Sequence, residues 1–84
     1  MMLVTYDVEA GATYLELADA AAARTVSVSD LVMVDIDAHE EAIGVEFAVP
    51  PSKITADMLH RLAERFPHLK GLQDADTWLL TAAH

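Results

Sequence analysis

The stretch DIDAHEEAIGVE, residues 35–46, spaces its acidic side chains like the ligands of a calcium-binding loop. An EF-hand loop takes oxygen ligands at positions one, three and twelve, and three of the five acids here occupy the same positions: Asp35, Asp37 and Glu46. Position five is His39, whose nitrogen suits a hard cation poorly, and position six is Glu40, where the loop requires glycine. We therefore expect no calcium site here, and no cofactor in the chain.

The segments that flank these acids predict strands, whereas an EF-hand loop lies between helices. LVMVDI before the loop is rich in β-branched residues, and Pro50–Pro51 prevents a helix soon after it. We expect a hairpin with three facing pairs on one side of the sheet: Ile36 with Ile43, Val34 with Val45, and Val32 with Phe47. In that register His39 and Glu40 would form an unfavourable two-residue turn, because both would need positive φ. A widened loop over residues 37–42 is therefore expected, with its carboxylates in solvent.

A second group of polar residues lies near the N-terminus and consists of Tyr6, Asp7 and Glu9. If the chain has a polar binding or catalytic site, these three residues are the first candidates. The structural alternative is that Asp7 and Glu9 shape the first turn, with Gly11 in a positive-φ conformation, while Tyr6 packs with its hydroxyl at the rim. We favour the structural alternative.

Two histidines stand near acids in patterns that suit proton transfer or metal binding. His39 is close to Asp37 and Glu41, which is a base–carboxylate arrangement. His60 and Glu64 are four residues apart, which places them on one face of a helix. We interpret the first as an exposed loop tip without walls to exclude water, and the second as a solvated polar stripe.

The composition describes a small, acidic, globular protein. Its 84 residues predict a single domain, and a hydrophobic content of 54% is enough for a packed core. The formal net charge of −9 repels nucleic acid and anionic lipid and favours a basic partner. The absence of cysteine excludes disulfides and thiolate metal sites. We find neither a membrane-span pattern nor a signal pattern and expect a cytoplasmic protein.

Apolar residues at every second position predict strands over residues 1–49. The runs are MLVTY, ATYLEL, RTVSV, LVMVDI and IGVEF. ATYLEL places Tyr14 and Glu16 on the outer face, and LVMVDI is apolar on both faces, which is typical of a central strand. We expect an α+β fold in which an antiparallel β-meander of about five strands precedes a helical extension over residues 52–84.

The period changes to that of an amphipathic helix in ITADMLHRLAERFP. Its apolar stripe consists of Met58, Leu59, Leu62, Ala63 and Phe66. Thr55 is a suitable N-cap and Pro67 ends the helix, which we expect to pack on one face of the sheet. Residues 74–83 fit either a second short helix capped by Asp74 or an added strand through TWLLT. In both cases Trp78 is expected to anchor the core.

The order of the motifs TYD with Glu9, YLEL, VSVSD, VDID and IGVEF resembles domain-of-unknown-function family 2283, a group of small prokaryotic proteins. The resemblance covers about residues 3–48 and implies a small β-meander without an established activity. Members typically carry glycine after the aspartate at position 30 and in the last hairpin turn, where this chain has Leu31 and Glu40. We therefore expect both turns to be remodelled. Some relatives lie beside small toxin-like genes, so the resemblance also implies an antitoxin-like role by analogy.

Three functions of different classes remain open. The preferred one is a non-enzymatic interaction module, a homodimer that associates through the second sheet face or an edge strand. The two apolar faces of residues 31–36 motivate it, and Leu31 and Met33 are the candidate interface residues. The second is an antitoxin-like regulatory partner of a basic protein. The third is a small enzyme or weak divalent-metal binder that uses Asp7, Glu9 or the loop described above.

Overall fold

The computed structural model describes residues 3–73, in which a five-stranded antiparallel sheet is followed by one α-helix. The strands are β1 (Leu3–Asp7), β2 (Ala12–Glu16), β3 (Arg24–Ser29), β4 (Val32–Ile36) and β5 (Ala42–Phe47). After the sheet come a 3₁₀ helix (Pro51–Lys53), the helix α1 (Ala56–Arg65) and a second 3₁₀ helix (Pro67–Gln73). The predicted α+β fold is confirmed. Both interpretations of residues 74–83, and the anchoring role of Trp78, lie outside the described residues.

The strand order across the sheet is β1-β2-β5-β4-β3. Strands β3, β4 and β5 follow one another as a meander, and the β1–β2 hairpin joins that meander by pairing β2 with β5. The connection over residues 17–23 therefore passes the ends of β5 and β4, where its amides bond to the Ile43 and Ile36 carbonyls at 2.8–3.2 Å. Strands β1 and β3 lie at the two edges, and β4 is a central strand, as predicted.

The β4–β5 hairpin has the predicted register except near its loop. Two predicted pairs are present: Val32–Phe47 and Val34–Val45. Ile36 faces Ala42, however, so the expected pair of Ile36 with Ile43 is wrong. The extra residue forms a β-bulge at Ile43, whose carbonyl accepts the amides of Leu17 and Ala18 at 2.9 and 3.2 Å. The hairpin sequence could not reveal this bulge, because the bonds that accompany it come from the chain after β2.

The core lies between one face of the sheet and the helical segments. Its strand residues are Leu15, Val32, Val34, Ile36, Val45 and Phe47, and its helical residues are Leu59, Leu62, Leu69 and Leu72. Complete burial of a side chain of this kind contributes about 1.5–3 kcal/mol. Thr13 is a buried polar residue beside this cluster, and its hydroxyl donates a hydrogen bond to the Val49 carbonyl at 2.9 Å. The core therefore fixes which sheet face remains for other contacts.

Helix α1 begins and ends where the sequence predicts. The Thr55 hydroxyl accepts the Met58 amide at 3.2 Å and so caps the N-terminus. Pro67 follows the C-cap residue Phe66, and the helix buries Leu59, Leu62 and Ala63. No helix in the described part of the chain is long and apolar enough to cross a membrane.

Candidate functional site

The sheet face opposite α1 carries a hydrogen-bonded network that joins β2, β4 and β3. The Tyr14 hydroxyl donates to Asp35 Oδ2 at 2.9 Å, and the Thr25 hydroxyl donates to Asp35 Oδ1 at 2.7 Å. Alternation along the strands places these side chains outside the core, because their neighbours Leu15 and Val34 are buried in it. One carboxylate therefore binds side chains from two other strands.

Gly44 gives the Tyr14 ring room to reach β4. Strand β5 lies between β2 and β4, and its residue Gly44 faces Asp35 in the register. A Cβ at Gly44 would overlap the Tyr14 hydroxyl and the ring carbon that bears it. Any other residue at this position would therefore displace the ring. Such a close approach of a side chain to the backbone favours glycine inside a strand.

The Tyr14 hydroxyl is held in its protonated form. Desolvation by burial and the hydrogen bond to Asp35 raise the pKa of Tyr14 to about 12, and the charges of Glu16 and Glu46 act in the same direction. At neutral pH Tyr14 is therefore a hydrogen-bond donor, and the phenolate that would act as a nucleophile is disfavoured. The network is suited to holding the sheet face in one arrangement.

The register places only acidic charges on this face of the strands. The residues concerned are Asp7, Glu16, Asp35 and Glu46. None of the described strand positions on this side carries lysine or arginine. We call this surface, which also includes Tyr14, the acidic face. Clustered charges of one sign create a potential that attracts ligands of the opposite sign.

The predicted polar group near the N-terminus is divided in the structure. Asp7 and its neighbour Tyr6 line a cavity of about 270 Å³ at the β1 end of the acidic face, although the register pairs Tyr6 with Thr13 on the core side of the sheet. Tyr14 and Glu46 line the same cavity, whereas Glu9 is not among its lining residues. The structure thus brings two of the three candidates together with Tyr14 and Glu46, which are distant from them in the sequence.

Asp7 also shapes the first hairpin loop in the way that the sequence predicts. Its Oδ1 accepts the amides of Glu9 and Ala10 at 3.1 and 3.3 Å, and its carbonyl accepts the Gly11 amide at 2.9 Å. Gly11 has the expected positive φ, 64°. The Asp7 carboxylate is therefore fixed by the loop while its side chain lines the cavity.

The four residues of the predicted acidic hairpin also fall in two places. Asp35 and Glu46 lie on the acidic face, whereas Asp37 and His39 lie in the β4–β5 loop. Asp37 Oδ1 accepts the His39 amide at 2.8 Å and the Glu41 amide at 3.0 Å. The bond from Glu41, followed by that from His39, lowers the pKa of Asp37. In the described part of the chain, no group of three or more acidic or histidine side chains is arranged to hold a metal.

The β4–β5 loop has the widened form that the sequence predicts. The Asp37 amide donates to the Glu41 carbonyl at 3.0 Å, and the Glu40 amide donates to the Asp37 carbonyl at 3.2 Å. Glu40 takes the left-handed conformation with φ 65°, and its carboxylate pairs with the Arg24 guanidinium. The other turn that lacks the family glycine, Asp30–Leu31, has no positive φ and lies beside a β-bulge in β3. The two turns therefore replace the family glycine in different ways. Glu40 itself adopts a positive φ, whereas the Asp30–Leu31 turn contains no residue with positive φ.

A groove separates α1 from the edge strand β3. It has a volume of about 540 Å³ and is lined by Val28 and by polar residues of α1, among them His60 and Glu64. His60 Nε2 lies 3.6 Å from Glu64 Oε1, as their spacing predicts, and Arg61 Nε donates to Asp57 Oδ2 at 3.0 Å. These polar side chains are paired along the exposed side of α1, which is the solvated stripe that the sequence indicates.

The two candidate interface residues lie on different sides of the sheet. Leu31 is 40% exposed and lines a cavity of about 270 Å³ with Thr55 and Met58, on the side of α1. Met33 is half-buried and faces Glu46 in the register of the acidic face. A partner that binds one face of the sheet therefore cannot contact both Leu31 and Met33 to the same extent.

A comparison with protein families gives a match over the sheet. A family model described as a protein of unknown function, DUF2283, matches residues 3–48. The chain belongs to this family. The DUF2283 match covers all five strands and ends before α1, so it includes the whole acidic face. No curated protein and no solved structure was found to match the chain.

Within the DUF2283 sheet, sequence reasoning missed the residues that organise the acidic face. Tyr14, Thr25 and Glu16 were not candidates, although the alternation of ATYLEL and RTVSV already placed them on the outer side. The missing information was the strand order, because Tyr14 reaches Asp35 only when β5 lies between β2 and β4. The glycine of IGVEF was the available signal, since glycine inside a strand indicates a close approach.

Proposed function

We propose that this DUF2283 protein is a non-enzymatic interaction module that self-associates. The observation that carries the proposal is the position of the exposed apolar side chains. Leu3, Tyr6 and Val8 are 48%, 37% and 75% exposed, and all three lie in β1 or directly after it. Apolar side chains gathered at one sheet edge favour burial against another protein surface.

The polar groups of the acidic face support a binding role over a catalytic one. Tyr14 and Thr25 both donate to Asp35, and the raised pKa of Tyr14 makes its phenolate less accessible than that of an ordinary tyrosine. Outside this face, Asp37 uses its carboxylate to close the β4–β5 loop. These bonds hold the side chains in place for recognition without providing an activated nucleophile.

The charge distribution indicates which surface a second copy would use. Two acidic faces brought together would oppose carboxylates with carboxylates, which is unfavourable for self-association. The β1 edge has no charged residue between Leu3 and Tyr6, so it lacks this repulsion. Self-association is therefore expected at the edge of the sheet.

Sedimentation velocity over a series of protein concentrations tests this proposal. We expect the dimer fraction to rise with concentration and to fall when Val8 is replaced by lysine, because the variant places a charge beside the exposed apolar side chains of β1. Leu31→Lys is the matched control, since Leu31 is also exposed but lies at the other end of the sheet. A protein that stays monomeric at every concentration contradicts the proposal.

A second candidate function is that of an antitoxin-like partner of a basic protein. The acidic face favours it, because four carboxylates occur there without a lysine or arginine on the same described strand positions. The test is co-purification with the products of neighbouring genes at low and high salt. We expect Glu16→Gln with Glu46→Gln to weaken a salt-sensitive complex, whereas Glu64→Gln on α1 leaves it unchanged. The absence of any basic partner would remove this candidate.

A further inference from the structure

The two edges of the sheet differ in their protection against pairing with another strand. Strand β1 is regular over Leu3–Asp7, pairs in an unbroken register with β2, and contains no proline or lysine. Natural edge strands are usually blocked by bulges, charges or a covering segment, because their free backbone groups can bind another strand. Among the described residues, β1 has no bulge and no covering segment, and its single charged residue, Asp7, stands at its end.

Strand β3 is protected in several of these ways. Its register shifts between Ser27 and Ser29, and the Ser27 hydroxyl donates to the Ser29 carbonyl at 3.0 Å. Arg24 at its start is charged, and α1 lies alongside it across the groove that Val28 lines. The bulge and the neighbouring helix, which β1 lacks among the described residues, oppose strand addition at this edge.

We infer that two copies of this chain pair antiparallel through β1 and join their sheets into one continuous sheet. The inference rests on the proposed self-association and names its surface. A two-fold axis makes the interface self-complementary, since each β1 presents the same residues to the other. With the axis near Thr5, Val4 of one copy faces Tyr6 of the other on the core side of the sheet.

The charges along β1 are compatible with this arrangement. Asp7 is the single charged residue of the strand, and the same two-fold axis places it opposite Leu3 of the second copy. Like charges therefore do not face one another across the new strand pair. Pairing of two short strands buries less surface than a standard protein interface, so we expect a concentration-dependent dimer.

Amide hydrogen exchange distinguishes strand pairing from simple side-chain contact. In an antiparallel sheet, alternate amides of an edge strand point toward its one neighbour and the others point away. In the monomer, one alternating set of β1 amides is bonded to β2 and the other set exchanges freely. In the dimer both sets are expected to be protected, while the outward amides of β3 exchange freely at every concentration.

The experiment combines sedimentation with exchange measured by NMR at low and high protein concentration. We expect Tyr6→Lys to weaken dimerisation by roughly tenfold or more, because Tyr6 is an interface aromatic. Leu31→Lys is expected to leave the dimer unchanged. Thr5→Lys, which places two lysines opposite each other at the two-fold axis, provides a second test if Tyr6→Lys impairs folding.

Three outcomes separate this inference from the proposed function. A dimer in which the second set of β1 amides becomes protected, and which Tyr6→Lys weakens, supports strand pairing. A dimer that leaves those amides in free exchange overturns strand pairing and retains self-association. A strict monomer at every concentration overturns both.

Discussion

The two acidic hairpin loops of this protein have the same construction from different sequences. In each, one aspartate at the start, Asp7 or Asp37, accepts two amides from residues further along the loop. In each, one later residue takes the left-handed conformation, with φ 64° at Gly11 and φ 65° at Glu40. The comparison shows that the aspartate cap is shared, whereas the glycine is replaceable.

Glu40 has a compensating contact that Gly11 does not need. Left-handed φ costs a residue with a side chain roughly 1–2 kcal/mol, and glycine avoids this cost. The Glu40 carboxylate pairs with Arg24 of the neighbouring strand, although an exposed pair of this kind contributes only about 0–1 kcal/mol. The β4–β5 loop is therefore expected to keep some backbone strain that the β1–β2 loop lacks.

The largest expected effect comes from introducing into the β1–β2 loop the left-handed strain that Glu40 has in the β4–β5 loop. Gly11→Ala should lower the free energy of unfolding by about 1 kcal/mol, because alanine must adopt the left-handed φ. Urea unfolding of both proteins measures the difference. Gly71→Ala is a matched control, since a Cβ at either position meets nothing within 4 Å and only Gly11 has positive φ. Equal effects at the two glycines would contradict the explanation.

The reverse change should relieve the second loop. Glu40→Gly is expected to raise the free energy of unfolding by about 0.5 kcal/mol. The relief of the left-handed strain stabilises the variant, whereas the loss of the ion pair with Arg24 and the greater freedom of the unfolded chain partly offset this gain. Glu41→Gly is the control, because Glu41 does not have positive φ and glycine there should destabilise the protein. If Glu40→Gly is as destabilising as Glu41→Gly, the left-handed residue is not a source of strain.

The smallest expected effect is a pH dependence that arises from the aspartate cap of the second loop. Its hydrogen bonds lower the pKa of Asp37 below the unfolded value, so the stabilisation is complete above that value and is lost as pH falls through the folded pKa. The His39 and Glu41 amide signals should shift with the same acid transition. Asp37→Asn should remove this transition from the NMR titration. Amide shifts that persist in the variant would assign the titration to another group.

The parts of the fold that sequence predicted depend on contacts between residues close in the chain. Thr55 caps α1, Asp7 closes the first loop, and the pairs of the β4–β5 hairpin away from its loop have the expected register. Each of these three features depends on residues that are a few positions apart or belong to one hairpin. The helix period and the strand alternation then determine which side chains enter the core.

The remaining features depend on contacts between distant segments, which alternation does not encode. The alternation of apolar and polar residues assigns a side chain to one face of the sheet, but it does not specify which strand lies beside it. The pairing of β2 with β5 therefore could not be predicted, and neither could the bulge at Ile43 or the bond from Tyr14 to Asp35. The candidate acids were divided for the same reason, because Asp35 and Asp37 are close in sequence but serve the sheet face and the loop.

The glycine beneath the Tyr14 ring has a consequence for the choice of strand register. Sliding β2 along β5 by two residues would keep every apolar side chain on its own face, so the hydrophobic pattern alone permits that error. The slide would bring the ring over Ala42 or Glu46, where a side chain occupies the space that Gly44 leaves empty. One aromatic residue and one missing side chain thus select a single alignment between the N-terminal hairpin and the rest of the sheet.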